Sequence, residues 1–143
     1  MQERMPLGFM FKQINTIYEK EFNNRLRKFG ITSSQCGVLD YLFGSSKEAV
    51  TQRDIEKALS LSNPTVTGIL KRLEEKGFIL SVPSNKDKRC KNIHLTEKAY
   101  DIQRWMDMDR KKLDKMLTLG MNKKEIRALE KMLARVLYNI DEP

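Results

Sequence analysis

Apolar side chains recur along this chain at gaps of three and four, and in one short region they alternate instead. From about Met5 to Phe29 the positions Met10, Ile14, Ile17, Phe22, Leu26 and Phe29 fall on one face of a long helix. Gly30 supplies a left-handed stop. Thr32 with Gln35 three residues later has the form of a capping box. The helix it opens turns Cys36, Val38, Leu39, Leu42 and Phe43 inward and ends at Gly44. Ser45 to Val50 reads as a polar connector. Thr51, with Asp54 three along, caps a third helix that faces the core through Ile55, Ala58 and Leu59, and Ser60-Leu61 makes the turn out of it.

Ser62 caps the fourth helix. Pro64 is tolerated in its first turn, where N–H groups have no intrahelical partner. Val66, Ile69, Leu70 and Leu73, spaced three, one and three, form a stripe for burial. The opposite side presents Pro64, Gly68, Lys71 and Glu75, with Thr65, Thr67 and Arg72 at its margins. Glycine inside a helix costs about 1 kcal/mol relative to alanine. On an outward face, Gly68 is best explained by a surface that must come very close. Gly77 ends this helix. Phe78–Val82 and Ile93–Leu95 are short β-favouring runs around the turn-rich stretch from Pro83 to Asn92. Thr96 and Glu97 then open a long helix with Tyr100, Met106, Leu113, Met116 and Leu117 on its apolar side, closed by Gly120. Asn122, with Glu125 three along, caps a last helix whose seam runs Ile126, Leu129, Leu133, Val136 or Leu137, and Ile140.

The fold class expected is mainly α with a small β-hairpin: a winged helix-turn-helix flanked by terminal helices. The 143 residues suit one domain, with no internal repeat or flexible linker. Residues 31–95 form the winged part. Residues 1–30 and 96–143 hold more apolar surface than so small a module needs, and packing against a second copy of the chain would bury it.

Charge sharpens this picture. The net charge is +8, which favours a polyanionic partner. Ser62 to Leu95 carries seven basic side chains (Lys71, Arg72, Lys76, Lys86, Lys88, Arg89 and Lys91) against Glu74, Glu75 and Asp87, half of the whole excess. A cationic loop is usually just a solvated one, but this one directly follows a candidate recognition helix. There is no apolar run long enough to span a bilayer, and Met1–Met10 has no leader pattern, so a cytoplasmic protein without a membrane partner is expected. Cys36 belongs to an apolar series and reads as a core residue. Cys90 and His94 are too few for a zinc site, and neither metal nor cofactor is expected. His94 is the only histidine. No glycine-rich phosphate loop, nucleophile elbow or paired-carboxylate signature accompanies it, which sets an enzyme aside.

The order of these parts resembles the MarR family of winged-helix transcription regulators over nearly the whole chain. Ile31-Thr32-Ser33-Ser34-Gln35 before Val38-Leu39 looks like the family's second-helix opening, and Thr51-Gln52-Arg53-Asp54-Ile55 looks like its third helix. Ser62–Thr67 with Leu70–Ile79 resembles its recognition helix and first strand. Asp87-Lys88-Arg89 resembles its wing motif, and Ile93-His94-Leu95-Thr96 its return strand and linker. The resemblance implies a homodimer on a pseudo-palindromic double-stranded DNA operator, a repressor by expectation, released by a small phenolic or anionic effector whose pocket residues stay unassigned. The thiol-oxidation branches place a cysteine near the start of the first helix, where this chain has none. In the recognition helix, Ser62, Asn63, Thr65 and Thr67 would bond to bases or phosphates, and Pro64 would meet a thymine methyl. Gly68 would allow close approach, and Lys71 and Arg72 would reach phosphates or a guanine edge. Thr51 and Gln52 would touch the backbone. In the wing, Arg89 would enter the minor groove, Asp87 would orient it, and Lys86, Lys88 and Lys91 would add electrostatic contacts. The rival reading is a winged helix that binds protein without reading DNA sequence; the basic wing and small outward residues weigh against it.

Overall fold

The computed structural model describes residues 4–141. Residues 1–3 and 142–143, the ends of the two expected terminal segments and the start of the Met1–Met10 stretch, lie outside the described residues. In chain order the elements are α1 (Leu7–Arg27), α2 (Ser33–Gly44), β1 (Val50–Thr51), α3 (Gln52–Leu59), α4 (Asn63–Glu75), β2 (Ile79–Pro83), β3 (Lys91–Leu95), α5 (Glu97–Leu117) and α6 (Lys123–Asp141). They fall into two compact units that divide after Asp109, inside α5.

In the first unit each short helix begins where its sequence supplies a cap. The Thr32 hydroxyl accepts from the Gln35 N–H, and the Gln35 side chain accepts in return from the Thr32 N–H. Thr51 and Asp54 make the same reciprocal pair at α3. Lys47 adds an ammonium 2.9 Å from Asp54 Oδ1. The Thr51 N–H foremost, and then Lys47, hold the Asp54 carboxyl below the ordinary carboxylate range, and the same bond raises Lys47. Chain reversals are as local. Gly77 ends α4 at φ +82°, with its N–H on the Glu74 carbonyl and the Phe78 N–H on the Leu73 carbonyl, so the chain turns sharply into β2. Ser60 ends α3 in the same left-handed region at φ +51° without being glycine.

The sheet is antiparallel with the order β1-β3-β2. Ile93 pairs with Val50 on one side and Ser81 on the other. Val50, Ile79 and Ile93 are buried, whereas Leu80 and His94, partners in the register, are exposed. The core below the sheet is built from Val38 and Leu39 of α2, Ile55 of α3, and Val66 and Leu73 of α4, all fully buried. Ala99 and Met106 close it from α5, and Cys36 is buried within it, as its apolar setting predicts.

Several expectations need correction. Ala58 is exposed; α3 packs through Ile55 and a half-buried Leu59. The connector before α3 ends in a strand, since β3 needs an edge partner and buried Val50 supplies it. α1 begins at Leu7 and stops at Arg27, inside the Met5–Phe29 estimate. Its last turns meet the core through buried Leu26 and half-buried Phe22, with Phe29 half-buried just beyond the helix, and Met10, Ile14 and Ile17 are exposed, in keeping with the surplus apolar surface expected of residues 1–30. Along α5, Met106 and Leu113 are buried, but Tyr100, Met116 and Leu117 are exposed.

The second unit holds the end of α5 and all of α6. Asn122 and Glu125 bond reciprocally at 3.1 and 2.8 Å to start α6. No described α6 residue is buried; Ile126, Leu129 and Val136 are half-buried, while Leu133, Leu137 and Ile140 face solvent.

The Asp54 cap has a pH signature. Its carboxyl is depressed in the folded chain, so its contribution is complete above the unfolded value of about 3.9 and fades as pH falls through the folded value. Asp54→Ala is expected to lower the urea midpoint at pH 7, and the gap from wild type should narrow by pH 3. Paired denaturation curves check this; a gap that widens with acid contradicts it.

Candidate nucleic-acid interface

α4 is two-sided by construction. Its aliphatic stripe of Val66, Ile69, Leu70 and Leu73 is wholly buried, so every other position must face outward. Ser62, Asn63, Pro64, Thr65, Thr67, Gly68, Lys71 and Arg72 are all exposed. The Ser62 hydroxyl accepts from the Thr65 N–H at 3.4 Å and donates to Thr65 Oγ1 at 2.9 Å. The helix therefore presents a capped but solvent-facing N-terminus, whose amides favour anions. A Cβ placed on Gly68 would meet nothing within 4 Å beyond the backbone of its own helical turns. Nothing inside the molecule asks for glycine there.

The two helices of the motif are tied by polar contacts that residue spacing alone does not reveal. Gln52 Nε2 on α3 donates to Thr67 Oγ1 at 2.8 Å and to the Asn63 carbonyl at 3.3 Å. Asn63 Nδ2 lies 3.5 Å from Glu56 Oε2 on α3. Thr51 and Gln52, expected at the DNA backbone, are both half-buried; Thr51 is the cap of α3, and both Gln52 amide protons point into the helix pair.

The far end of α4 is fastened as well. The Lys76 ammonium donates to the Gly30 carbonyl and, at 2.8 Å, to Gln35 Oε1. Gln35 is thus a buried polar residue whose oxygen serves both the α2 cap and the α4 terminus. Lys98 donates to the Lys76 carbonyl at 2.6 Å and sits 4.9 Å over the Phe78 ring. Thr96 Oγ1 donates to the Gly77 carbonyl at 2.6 Å. The sequence placed Lys76 among the cationic residues, but its charge is used internally. A lysine three positions after the last buried residue of α4 was the only hint.

The wing is the loop from Ser84 to Cys90 between β2 and β3. Its closure is set by Ser84 N–H on the Cys90 carbonyl and Cys90 N–H on the Asp87 carbonyl. Asp87 Oδ1 accepts from the Arg89 N–H at 3.0 Å and from Arg89 Nε at 3.4 Å. The carboxylate thereby steadies the guanidinium from its own side, while the Arg89 side chain stays 92% exposed. Lys86, Lys88 and Lys91 are exposed around it, as is Cys90. Among the described residues no group of three or more His, Cys, Asp or Glu side chains could hold a metal ion, and no described helix is long and apolar enough to cross a membrane. What the first unit gathers on one helix face and one loop is a set of hydrogen-bond donors and fixed positive charge.

Comparison with known proteins fits this geometry. Residues 31–91 match the MarR family. Among solved structures, MepR, a transcription regulator of the Staphylococcus aureus multidrug efflux pump MepA, is 26% identical with a TM-score of 0.85, over 95% of this chain and 99% of that one. The S. aureus MepR–DNA complex matches at 26% identity and a TM-score of 0.77, with the same coverage. Wild-type MarR from E. coli in its apo form is 28% identical, with a TM-score of 0.80 over 95% of this chain and 99% of its own. The match over the winged part and the likeness along nearly the full length agree: residues 31–91 match the MarR family, and the chain shares its fold with MepR and MarR.

Proposed function

We propose that this protein regulates transcription by binding double-stranded DNA in a sequence-specific manner, as a homodimer on a pseudo-palindromic operator. The observation that carries the reading is the face of α4: four aliphatic residues anchor it, and every polar residue of its first turns is exposed. A B-form major groove admits a helix presented this way. Arg89, steadied by Asp87 and otherwise free to solvent, suits the narrow and negative minor groove alongside. Lys71, Arg72, Lys86, Lys88 and Lys91 supply phosphate contacts, and Ser62, Asn63, Pro64, Thr65 and Thr67 line the base-reading side. The contact with DNA made by MepR, as its complex is described, lends support.

Dimerisation is supported by apolar surface that a single chain leaves wet. Met10, Ile14 and Ile17 on α1 are 41, 50 and 65% exposed, and Leu137, Tyr138 and Ile140 on α6 are 68, 68 and 73% exposed. A second copy would cover such a surface, and two recognition helices would then meet half-sites about 10 base pairs apart. Repression follows if the operator overlaps a promoter, and a small phenolic or anionic effector would release it, as the family resemblance implies.

Selection from random duplexes tests the reading. An enriched palindromic motif is expected; none would favour a winged helix that binds protein instead. Arg89→Ala should weaken operator binding by about tenfold to a hundredfold and lower the salt slope by about one, with the dimer intact. Unchanged affinity at physiological salt would remove the wing from the interface. Gly68→Ala should act in opposite directions on stability and binding: up to about 1 kcal/mol more stable, because alanine favours the helix, yet weaker on DNA, because the added methyl stands on the contact face. Thermal melts and titrations on one preparation measure both.

A further inference from the structure

We propose that Gln52 fixes the polarity of Thr67, making that hydroxyl a donor toward the base edges of the major groove. Gln52 is thus a positioning residue for sequence reading and not a phosphate contact. The inference rests on the DNA-reading function proposed above. It starts from one nitrogen with two neighbours. Gln52 Nε2 lies 3.3 Å from the Asn63 carbonyl and 2.8 Å from Thr67 Oγ1. A carbonyl oxygen only accepts, so the amide must present its nitrogen at this point, and the alternative amide orientation is ruled out. An amide nitrogen does not accept, so the Thr67 oxygen must receive the bond.

Thr67 then has one proton left to place. Within a helix a threonine usually gives it to the carbonyl four residues back, as Thr16 does to Lys12 at 2.9 Å. For Thr67 that carbonyl belongs to Asn63, whose two lone pairs are taken by the helical N–H of Thr67 and by Gln52. The proton is left for a partner outside the chain, on an exposed face of α4. Ser62 and Thr65 differ, because they bond to each other. With both amide protons committed, Gln52 offers only an oxygen, and a phosphate has nothing to give it.

A hydroxyl with one lone pair taken by Gln52 and its proton turned outward discriminates. Guanine O6 and N7, adenine N7 and thymine O4 accept in the major groove, whereas the cytosine amino group donates. Base pairs that present an acceptor to Thr67 are therefore favoured. Without Gln52 the hydroxyl turns freely and either kind is tolerated.

Binding selections on the full-length chain, carried out for wild type, Gln52→Ala, Thr67→Val and the double variant, test this. Both single variants should lose about three- to tenfold discrimination at the same position of each half-site. The rest of the motif and the salt slope should not change, and the double variant should lose no more than Thr67→Val alone. If Gln52→Ala fails to fold by circular dichroism, Gln52→Met keeps the volume without the donors and gives the same comparison. A uniform loss over all sequences with a smaller salt slope would overturn the inference and make Gln52 a phosphate contact. An unchanged motif, or loss at a position that Thr67→Val retains, would also overturn it. A wild-type chain that enriches no motif would remove the DNA-reading function itself, and the inference with it.

Discussion

Burial of one aliphatic stripe governs the whole first unit. Val66, Ile69, Leu70 and Leu73 insert between α2, α3 and the sheet, and all four are buried. Each fully buried side chain of this size is worth roughly 1.5–3 kcal/mol, so the helix cannot roll about its axis without giving up several of them. That fixes which residues of α4 look outward, and no polar contact is needed to decide it. The polar contacts add a second kind of order. Gln52 ties the start of the helix to α3, while Lys76, Thr96 and Lys98 clasp its end. A surface meant to match another macromolecule benefits from such rigidity, because disorder lost on binding subtracts from affinity.

Much of this is legible in the sequence alone. Side-chain periodicity located every helix, and Thr32, Thr51, Ser62 and Asn122 marked their starts because a cap is a local event between residues three apart. The alternation around the hairpin was equally plain. What escaped were features decided by distant partners. Val50 is a strand residue only because Ile93 lies beside it. Ala58 looked inward by spacing, yet α3 is short and its packing ends with Leu59. Ser60 adopts a left-handed conformation that the chain ordinarily signals with glycine. As for the interface, the exposed residues of α4 and the wing could be named from the pattern, but the internal engagement of Gln52 and Lys76 required contacts across 15 and 41 residues.

Formal charge and available charge are different quantities here. Lys76 belongs to the positive total of the winged part, but its ammonium is occupied by the Gly30 carbonyl and Gln35. Asp87 subtracts from that total, yet it holds the wing arginine in place. A basic composition describes an attraction to polyanions at long range. Which cations arrive at contact, and in what orientation, depends on hydrogen bonds that composition does not record.

The exposed thiol of Cys90 has a practical consequence. The other cysteine, Cys36, is sealed in the core, so a maleimide dye would attach to the native chain at one place, beside Arg89 on the loop tip. A probe there needs no mutagenesis, and its emission would follow the solvent environment of the wing as molecules come and go.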